Sequence, residues 1–514
     1  MNAGQARTRL AQVGAILATA AVIGGCGNTY RPSVTPINTS GPSPQVSGYA
    51  LVVSAPSPTT DGVATIIDYS GDTILAEAPI GLAPKFFSVD ESGTVAASYN
   101  RDNTITDFPV NRDLQTLYET QLTLPTTAEP VNFYTPASNM WVPDQHGNVV
   151  DYFLGYAASL NAQIPVGTPS VPAVSPVAAI GNGQLTGQRV YALSQDFNDP
   201  TGVACNLTPT SEPSGVLTPI EIASDLADTP IPVGKCPVYL LANTNFSRIF
   251  VLNRGGDSTN PNGSITVINT QTNALDSCTP YQSQNGTWIT CPTNASIPLP
   301  AGPVYAEYNT ATQQLVVANY DSNTVSVIDV SQDEYGNDAN TYTNPSCTVG
   351  GVNSYANCGA PNGGFGTVHT INVGNYPSAV TALADGTRAY VANQADGTVS
   401  IINLTNYSLE KTLTVVGHPR TVVSTQNSLY GKVYVASPDS PYVTIISTLN
   451  DLVDTTLLVQ GDVVDVRVST QNGAAVNSNV TSRAPGWGEP CNLPPTLLSN
   501  ATITANPAQC SVQP

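Results

Sequence analysis

The residues that could do chemistry are few. The 514-residue chain has three histidines, His146, His369 and His418, and no two stand at the spacing of a metal site. No HExxH, CxxC or CxxCH run occurs, so zinc hydrolysis, dithiol exchange and covalent haem find no ligand pattern. GxSxG is absent too, and with it the signature of a nucleophile elbow. His146 lies in an Asp-Gln-His-Gly-Asn turn and His369 opens a HTINVG run; both read as solvated residues.

His418 belongs to a pattern. Four short connections carry a glycine followed by a proline: Gly81 to Pro84, Gly234 to Pro237, Gly374 to Pro377 and Gly417 to Pro419. Beside them stand Lys85, Lys235, Tyr376, His418 and Arg420. In a chain with 16 Lys and Arg against 36 Asp and Glu, that is a concentration of cations. It makes these five a candidate site for an anionic or polar ligand. The plainer reading is scattered loop residues, balanced by Glu129 and Asp462 in equivalent connections. Asp68, Asn269, Asp329 and Asn403 each end a strand-like run; recurrence assigns them to the repeat, as caps of the following turn, rather than to a metal. The oxygen-rich stretches Arg254 to Ser264 and Ser331 to Asn340 could serve Ca²⁺, but lack the spacing of a calcium loop. No catalytic residue, metal or other cofactor is assigned.

The elements that must hold these residues are clearest from Ser378 to Pro419. Four short apolar runs, AVTALA, RAYVAN, TVSIINL and LEKTLTVVG, are separated by ADGT, QADG and TNYS turns. The second run recurs as LVVSA, VAASY, MWVPD, VYALS, IFVLN, LVVAN, AYVAN and VYVAS, starting at Leu51, Val95, Met140, Val190, Ile249, Leu315, Ala389 and Val433. The shortest spacing is about 44 residues, the period of a four-stranded propeller blade. The aromatic set Trp141, Tyr191, Phe250, Tyr390 and Tyr434 shares one register of that run and reads as packing between blades.

RAYVANQADGTVSIINLTN and LVVANYDSNTVSVIDV resemble the YVTN-type propeller repeat of prokaryotic surface proteins. The fold class is therefore all-β, a β-propeller of about 44-residue four-stranded blades. The count of repeats is eight, with seven, the family's usual number, as the alternative. The first unit lacks its own first strand, and a surplus strand, Val463 to Gly473, follows the last. That strand is expected to complete blade 1 and close the ring, removing any open sheet edge. Resemblance to this family also admits a lactonase-like or other hydrolase with a site at the channel mouth, or a structural surface-layer component.

In a propeller with strands a to d from the axis outward, d-to-a and b-to-c connections share one face, here the upper. The cation-bearing connections are d-to-a. The insertion Phe197 to Ser214 falls on the upper face; Thr270 to Ala295 and Ser331 to Gly366 fall at c-to-d connections on the lower. Eight cysteines sort with these loops, and neighbours pair without strain on the topology: Cys205–Cys236, Cys278–Cys291, Cys347–Cys358 and Cys491–Cys510. Each such bridge would staple a long loop, worth about 3 kcal/mol for a loop of about 15 residues.

The ninth, Cys26, has another reading. Arg7 and Arg9 precede an apolar run, Leu10 to Gly24, short of a comfortable bilayer span, which ends at Ile23-Gly24-Gly25-Cys26. This resembles a bacterial lipoprotein signal, with Cys26 the lipidated first residue of the mature chain. Expected divisions are 1–25 signal peptide, 26–48 lipidated Cys and Pro/Ser/Thr-rich tether, 49–473 propeller and 474–514 disulfide-stapled tail. Gly27 points to the outer membrane, with the domain periplasmic or surface-facing. A net charge of −20 without a basic stripe excludes nucleic acid as a partner. The expected partners are the membrane, through the lipid, and an envelope protein or glycan; an enzymatic role is disfavoured.

Overall fold

The computed structural model describes residues 48–469 except 90–92, 111–113, 115–119, 125–126, 129, 131–132, 135–138, 145–146, 154–159, 168–173, 183–188, 197–214, 245, 256–261, 271, 277–280, 283–287, 290–295 and 332–364. The chain divides into 1–43 and 44–514; the first unit lies outside the described residues, and the second contains a ring of eight antiparallel blades.

Blade 1 joins the two ends of the domain. Its strands b, c and d are Tyr49–Ala55, Asp61–Asp68 and Thr73–Leu82, and its innermost strand is Asp462–Val468. Blade 2 runs Pro84–Val89, Val95–Asn100, Thr104–Pro109 and Thr120–Thr123. Blade 3 has Met140–Asp144, Val149–Phe153 and Ala162–Pro165; bridges from Pro130 to Asp144 and from Tyr134 to Trp141 stand where its strand a belongs. Blade 4 has Val174–Asn182, Arg189–Asp196, Gly215–Glu221 and a broken outer edge, Leu226–Ala227 and Ile231–Pro232. Blade 5 has Pro237–Ala242, Arg248–Asn253 and Asn262–Asn269. Blade 6 has Pro303–Asn309, Gln314–Asn319, Thr324–Asp329 and Val368–Asn372. Blade 7 has Pro377–Ala382, Arg388–Asn393, Thr398–Asn403 and Ser408–Thr414; blade 8 has Thr421–Ser424, Lys432–Ala436, Tyr442–Ser447 and Leu452–Leu458. Strands a of neighbouring blades lie against one another around the axis.

The ring closes by the C-terminal strand, but Asp462 rather than Val463 opens it. The blade 5 insertion also differs from expectation. It does not sit at the c-to-d turn, which is short; it interrupts strand d itself. Ala274–Leu275 pair with the end of strand c, and Ser296–Ala301 pair with its beginning.

Strands b and c are apolar on both faces because each lies between two blades. Thus Leu315 to Ala318 are all fully buried, as are Trp141, Tyr191, Phe250, Tyr390 and Tyr434. Each buried Val, Leu or Ile contributes about 1.5–3 kcal/mol. Strand d is the rim, and Ser408–Thr414 alternates accordingly.

The asparagine that ends strand b in four blades has a fixed task. Asn393 Nδ2 donates to Thr398 Oγ1 at 3.1 Å and Ser400 Oγ at 2.8 Å. Asn319 does the same to Thr324 and Ser326, Asn253 to Ser264 and Thr266, and Asn100 to Thr104 and Thr106. This buried amide-to-hydroxyl fork pins strand b to strand c. At the other end of strand c the recurring acid or amide caps the turn. Asp68, Asn269, Asp329 and Asn403 accept from the backbone N–H of Ser70, Thr272, Ser331 and Thr405 at 3.2, 3.3, 2.9 and 2.8 Å. Among the described residues no helix is long and apolar enough to cross a membrane.

Candidate functional site

The upper face is built from d-to-a connections gripped by b-to-c loops. Six of the connections bend through a left-handed residue: Ala83, Cys236 and Tyr376 at φ 42°, 53° and 54°, Gly302 at 74°, Gly417 at 70° and Gly461 at 88°. A proline follows at once in four of these, starting strand a with its φ preset. The next residue then bulges out of register, as Lys85, Val238, Val304 and Ser378 show. The earlier glycines of the pattern serve close approach rather than a turn. A Cβ on Gly81, Gly234 or Gly374 would meet Asn100, Asn253 or Asn393 at 2.0, 2.6 or 2.7 Å. Glycine and asparagine are therefore one device.

An acid in the b-to-c loop holds the connection from above. Asp396 accepts from the Asn375 N–H at 2.7 Å and from Asn375 Nδ2 at 2.8 Å. Asp439 accepts from the His418 N–H at 2.8 Å, and its second oxygen lies 2.5 Å from His418 Nδ1. Asp321 instead faces sideways and binds Arg254 of blade 5 through two bonds, 2.9 and 2.7 Å. Arg254 lies 5.9 Å over the Tyr320 ring, which stacks on Tyr376 at 4.8 Å. Blades 5, 6 and 7 thus share one laminated stretch of the face. Tyr320 Oη reaches Gln394 Oε1 at 3.3 Å, tying its buried end to blade 7.

Of the five residues expected to converge, four have side chains engaged with different partners. Lys85 Nζ lies 5.1 Å above the Tyr99 ring, toward blade 3. Tyr376 is stacked toward blade 6, and its N–H donates to Asn323 Oδ1 at 3.0 Å. His418 is held by Asp439 within blade 8. The Lys235 carbonyl accepts from Gly255 at 3.0 Å. Arg420 turns inward, and its Nη2 donates to the Val464 carbonyl of blade 1 at 3.0 Å. Asp462 is exposed on the same face; burial and Asp439 raise its pKa.

His369 is not a solvated residue. Its ring stacks on Tyr407 of the next blade at 3.8 Å and 4°. The sequence offered a signal, since strand d alternates and His369 occupies an inward register opposite Val327. His146, Glu129, Cys26, Cys205, Cys278, Cys291, Cys347, Cys358, Cys491 and Cys510 lie outside the described residues. So do most of the two oxygen-rich stretches. Cys236 is 2% exposed at the left-handed corner of its connection. Among the described residues no three His, Cys, Asp or Glu side chains form a group able to hold a metal.

Solved structures share this ring. That of apo AztD from Citrobacter koseri matches with a TM-score of 0.51 and 12% identity, over 82% of this chain and 98% of that one. That of the dihydro-heme d1 dehydrogenase NirN in complex with DHE matches at 0.50 and 12%, over 82% and 76%. At such identity the likeness shows the fold alone. Comparison with family models finds no match, and comparison with curated proteins finds none either. The chain is, on these findings and its own strand order, an eight-bladed β-propeller.

Proposed function

We propose that the chain is a lipid-tethered envelope scaffold that presents its upper face to a protein or glycan. The observation that carries this reading is where the ring is entered and left. The Tyr49 N–H donates to Ser469 Oγ and the Ser469 N–H to the Tyr49 carbonyl, both at 2.8 Å. Tyr69, at the c-to-d end of blade 1, donates to the Ser469 carbonyl at 3.1 Å. Entry and exit are therefore side by side on the lower end of the blade. A tether that begins at Cys26 then holds the lower face toward the membrane and turns the upper face away. The YVTN-like repeats and the lipoprotein-like Cys26 supply the family context, and outer-membrane sorting follows from Gly27. The pairs Cys205–Cys236, Cys278–Cys291, Cys347–Cys358 and Cys491–Cys510 belong to the same proposal, as staples of exported loops.

The upper face suits a polar partner. Asp396, Asn375, His418, Asp439, Arg254 and Asp321 occupy it, fixed by each other rather than by long flexible stems. A preorganised polar surface loses little entropy on binding.

The test has two arms on the full chain in an envelope-bearing host. Wild type should incorporate labelled acyl chains and fractionate with membranes, and Cys26→Ser should do neither. A photo-crosslinking residue placed at Asp396 should capture a partner, while one placed at Ser70 should not. Acylation-independent membrane association, or turnover of lactone substrates without any crosslink from Asp396, would overturn the proposal.

A further inference from the structure

Strand a of blade 1 carries two buried charges that repeat-based reading passes over. Arg467 is 7% exposed and Asp465 3%. Arg467 Nη2 lies 2.8 Å from Asp465 Oδ2 as an ion pair. Yet neither Nη2 nor Nε of Arg467 has a hydrogen-bond acceptor in line among the described residues.

Arg467 lies on the innermost strand of blade 1, the one nearest the axis. Blades 1 and 5 stand opposite one another in an eight-fold ring, and Arg467 still acts electrostatically on Tyr239 of blade 5. On its near side it acts on Arg420 of blade 8. Beside Arg420, Thr421 is 2% exposed and its Oγ1 has no hydrogen-bond partner among the described residues. Thr421 pairs with Ala436 as Tyr305 pairs with Ala318, so it stands at the tyrosine level of the axis. Tyr239 and Tyr305 form the aromatic wall, ring centroids 5.0 Å apart. On the blade 6 side Glu307 accepts from the Ala382 N–H at 3.1 Å.

Two guanidinium groups at this depth repel each other. Burial and the Arg467 charge both lower the Arg420 pKa, and Asp465 opposes them. A planar fork whose Nε and Nη2 hydrogens have no acceptor in line among the described residues, although Asp465 lies beside it, matches the geometry of a carboxylate or phosphate. We propose that this axial cluster is a binding site for a small oxyanion, held by Arg467 and Arg420 with the Thr421 hydroxyl as a third donor. The site is independent of the tether and of any partner on the upper face.

Inorganic phosphate and acetate are the probes. Each is titrated into the full chain at constant ionic strength, with chloride as the balancing anion, by calorimetry and by thermal unfolding. The expected result is saturable one-site binding of at least one probe, with Tm rising once the anion exceeds Kd. Arg467→Met, which keeps the aliphatic stem, should weaken binding tenfold or more. Thr421→Val, which keeps the shape, should weaken it a few-fold, and Lys85→Gln should leave it unchanged. Should Arg467→Met fail to fold, Thr421→Val and Arg420→Gln carry the comparison. Phosphate binding alone assigns a phosphate-type ligand, and acetate binding alone a carboxylate. A non-saturating salt effect, no binding of either probe, or equal affinity in the foldable variants would overturn the proposal.

Discussion

Lys432 and Asp72, 360 residues apart in the chain, meet at 2.6 Å between Nζ and Oδ2. Lys432 opens strand b of blade 8, and Asp72 sits at φ 47° in the c-to-d turn of blade 1. The same relation is found in the two preceding blades. Gln314 of blade 6 donates to the Tyr407 hydroxyl of blade 7 at 3.2 Å, and Arg388 of blade 7 pairs with Asp451 of blade 8. Tyr407 and Asp451 are left-handed as well, at φ 57° and 55°. A polar side chain at the start of strand b thus reaches the left-handed corner of the next blade. For Lys432 the next blade is the first, so this latch closes the circle.

Lys432 also lies 2.5 Å from Asp454, and its side chain is only 12% exposed, that of Asp72 14%. Lys432→Met would leave two carboxylates near each other without their cation. Removal of one partner from a largely buried pair is expected to cost about 2–4 kcal/mol, and Lys432→Arg should cost about 1. Urea unfolding of both variants measures the difference. A loss in Lys432→Met no larger than in Lys432→Arg would mean the latch is ornamental.

The closing strand should matter more than the latch. Tyr49–Ala55 pairs with Asp462–Val468 along its whole length. A chain that stops before Asp462 presents strand b of blade 1 as an unpaired edge, and unmatched apolar faces on blades 8 and 2. Expression of that truncation should give aggregated or protease-sensitive material. A monomeric truncation with a sharp unfolding transition would show that the blades stand without closure.

Much of this architecture was legible because the repeat is written in apolar runs and turn residues. RAYVAN and LVVAN announce the middle strands, and the aromatic register of Tyr390 and Tyr434 announces contact between blades. The closing strand could be inferred because a unit cannot lack its first strand without another element supplying it. The site was harder to read. Lys85, Tyr376 and His418 share a position relative to proline, but position in a connection does not fix side-chain direction. Lys85 found an aromatic ring, Tyr376 another tyrosine, and His418 the acid of its own blade. Arg467 and Asp465 were invisible because strand a of blade 1 departs from the repeat, so no neighbour in sequence marks them as buried. The blade 5 insertion was misplaced for a related reason: only strand pairing tells whether a loop replaces a turn or splits a strand.

The glycine and asparagine of one blade should behave as a unit. Gly374→Ala places a Cβ 2.7 Å from the Asn393 amide, closer than such atoms pack. The amide has to move, and with it the bonds to Thr398 and Ser400. Overpacking plus two strained buried hydrogen bonds is expected to cost about 2–3 kcal/mol, and Asn393→Ala a similar amount. Because both changes disrupt the same fork, the double variant should cost less than the two losses together, a coupling that a double-mutant cycle reads directly. Simple additivity would show that Gly374 is required for something other than Asn393.

Blade 3 breaks the fork in a way that should make stability depend on pH. Asp144 ends its strand b where Asn100, Asn253, Asn319 and Asn393 end theirs. Asp151 pairs with Val142 as Ser400 pairs with Val391, so it replaces the hydroxyl. Burial pushes Asp151 up to about 6; the Asp144 charge adds to this, and the 2.8 Å bond from Gln163 opposes it. In blade 2, Asp107 stands where blade 7 has Ile401, with neither carboxylate oxygen bonded among the described residues, and burial pushes it up to about 7. Both folded-state values lie above the unfolded one near 4. Their contribution is therefore complete below about pH 4 and is lost as pH rises through 6 and 7. Each displacement is worth on the order of 3–4 kcal/mol, so the urea midpoint should fall between pH 5 and pH 8. General repulsion in an acidic chain gives a slope of the same sign, and the variants separate the two. Asp151→Thr restores the hydroxyl of blades 2 and 5, and Asp107→Val the apolar residue of blades 5 and 6. Each should flatten the profile and raise stability at pH 7.5 while changing little at pH 4. An unchanged slope in both would assign the pH dependence to surface charge instead.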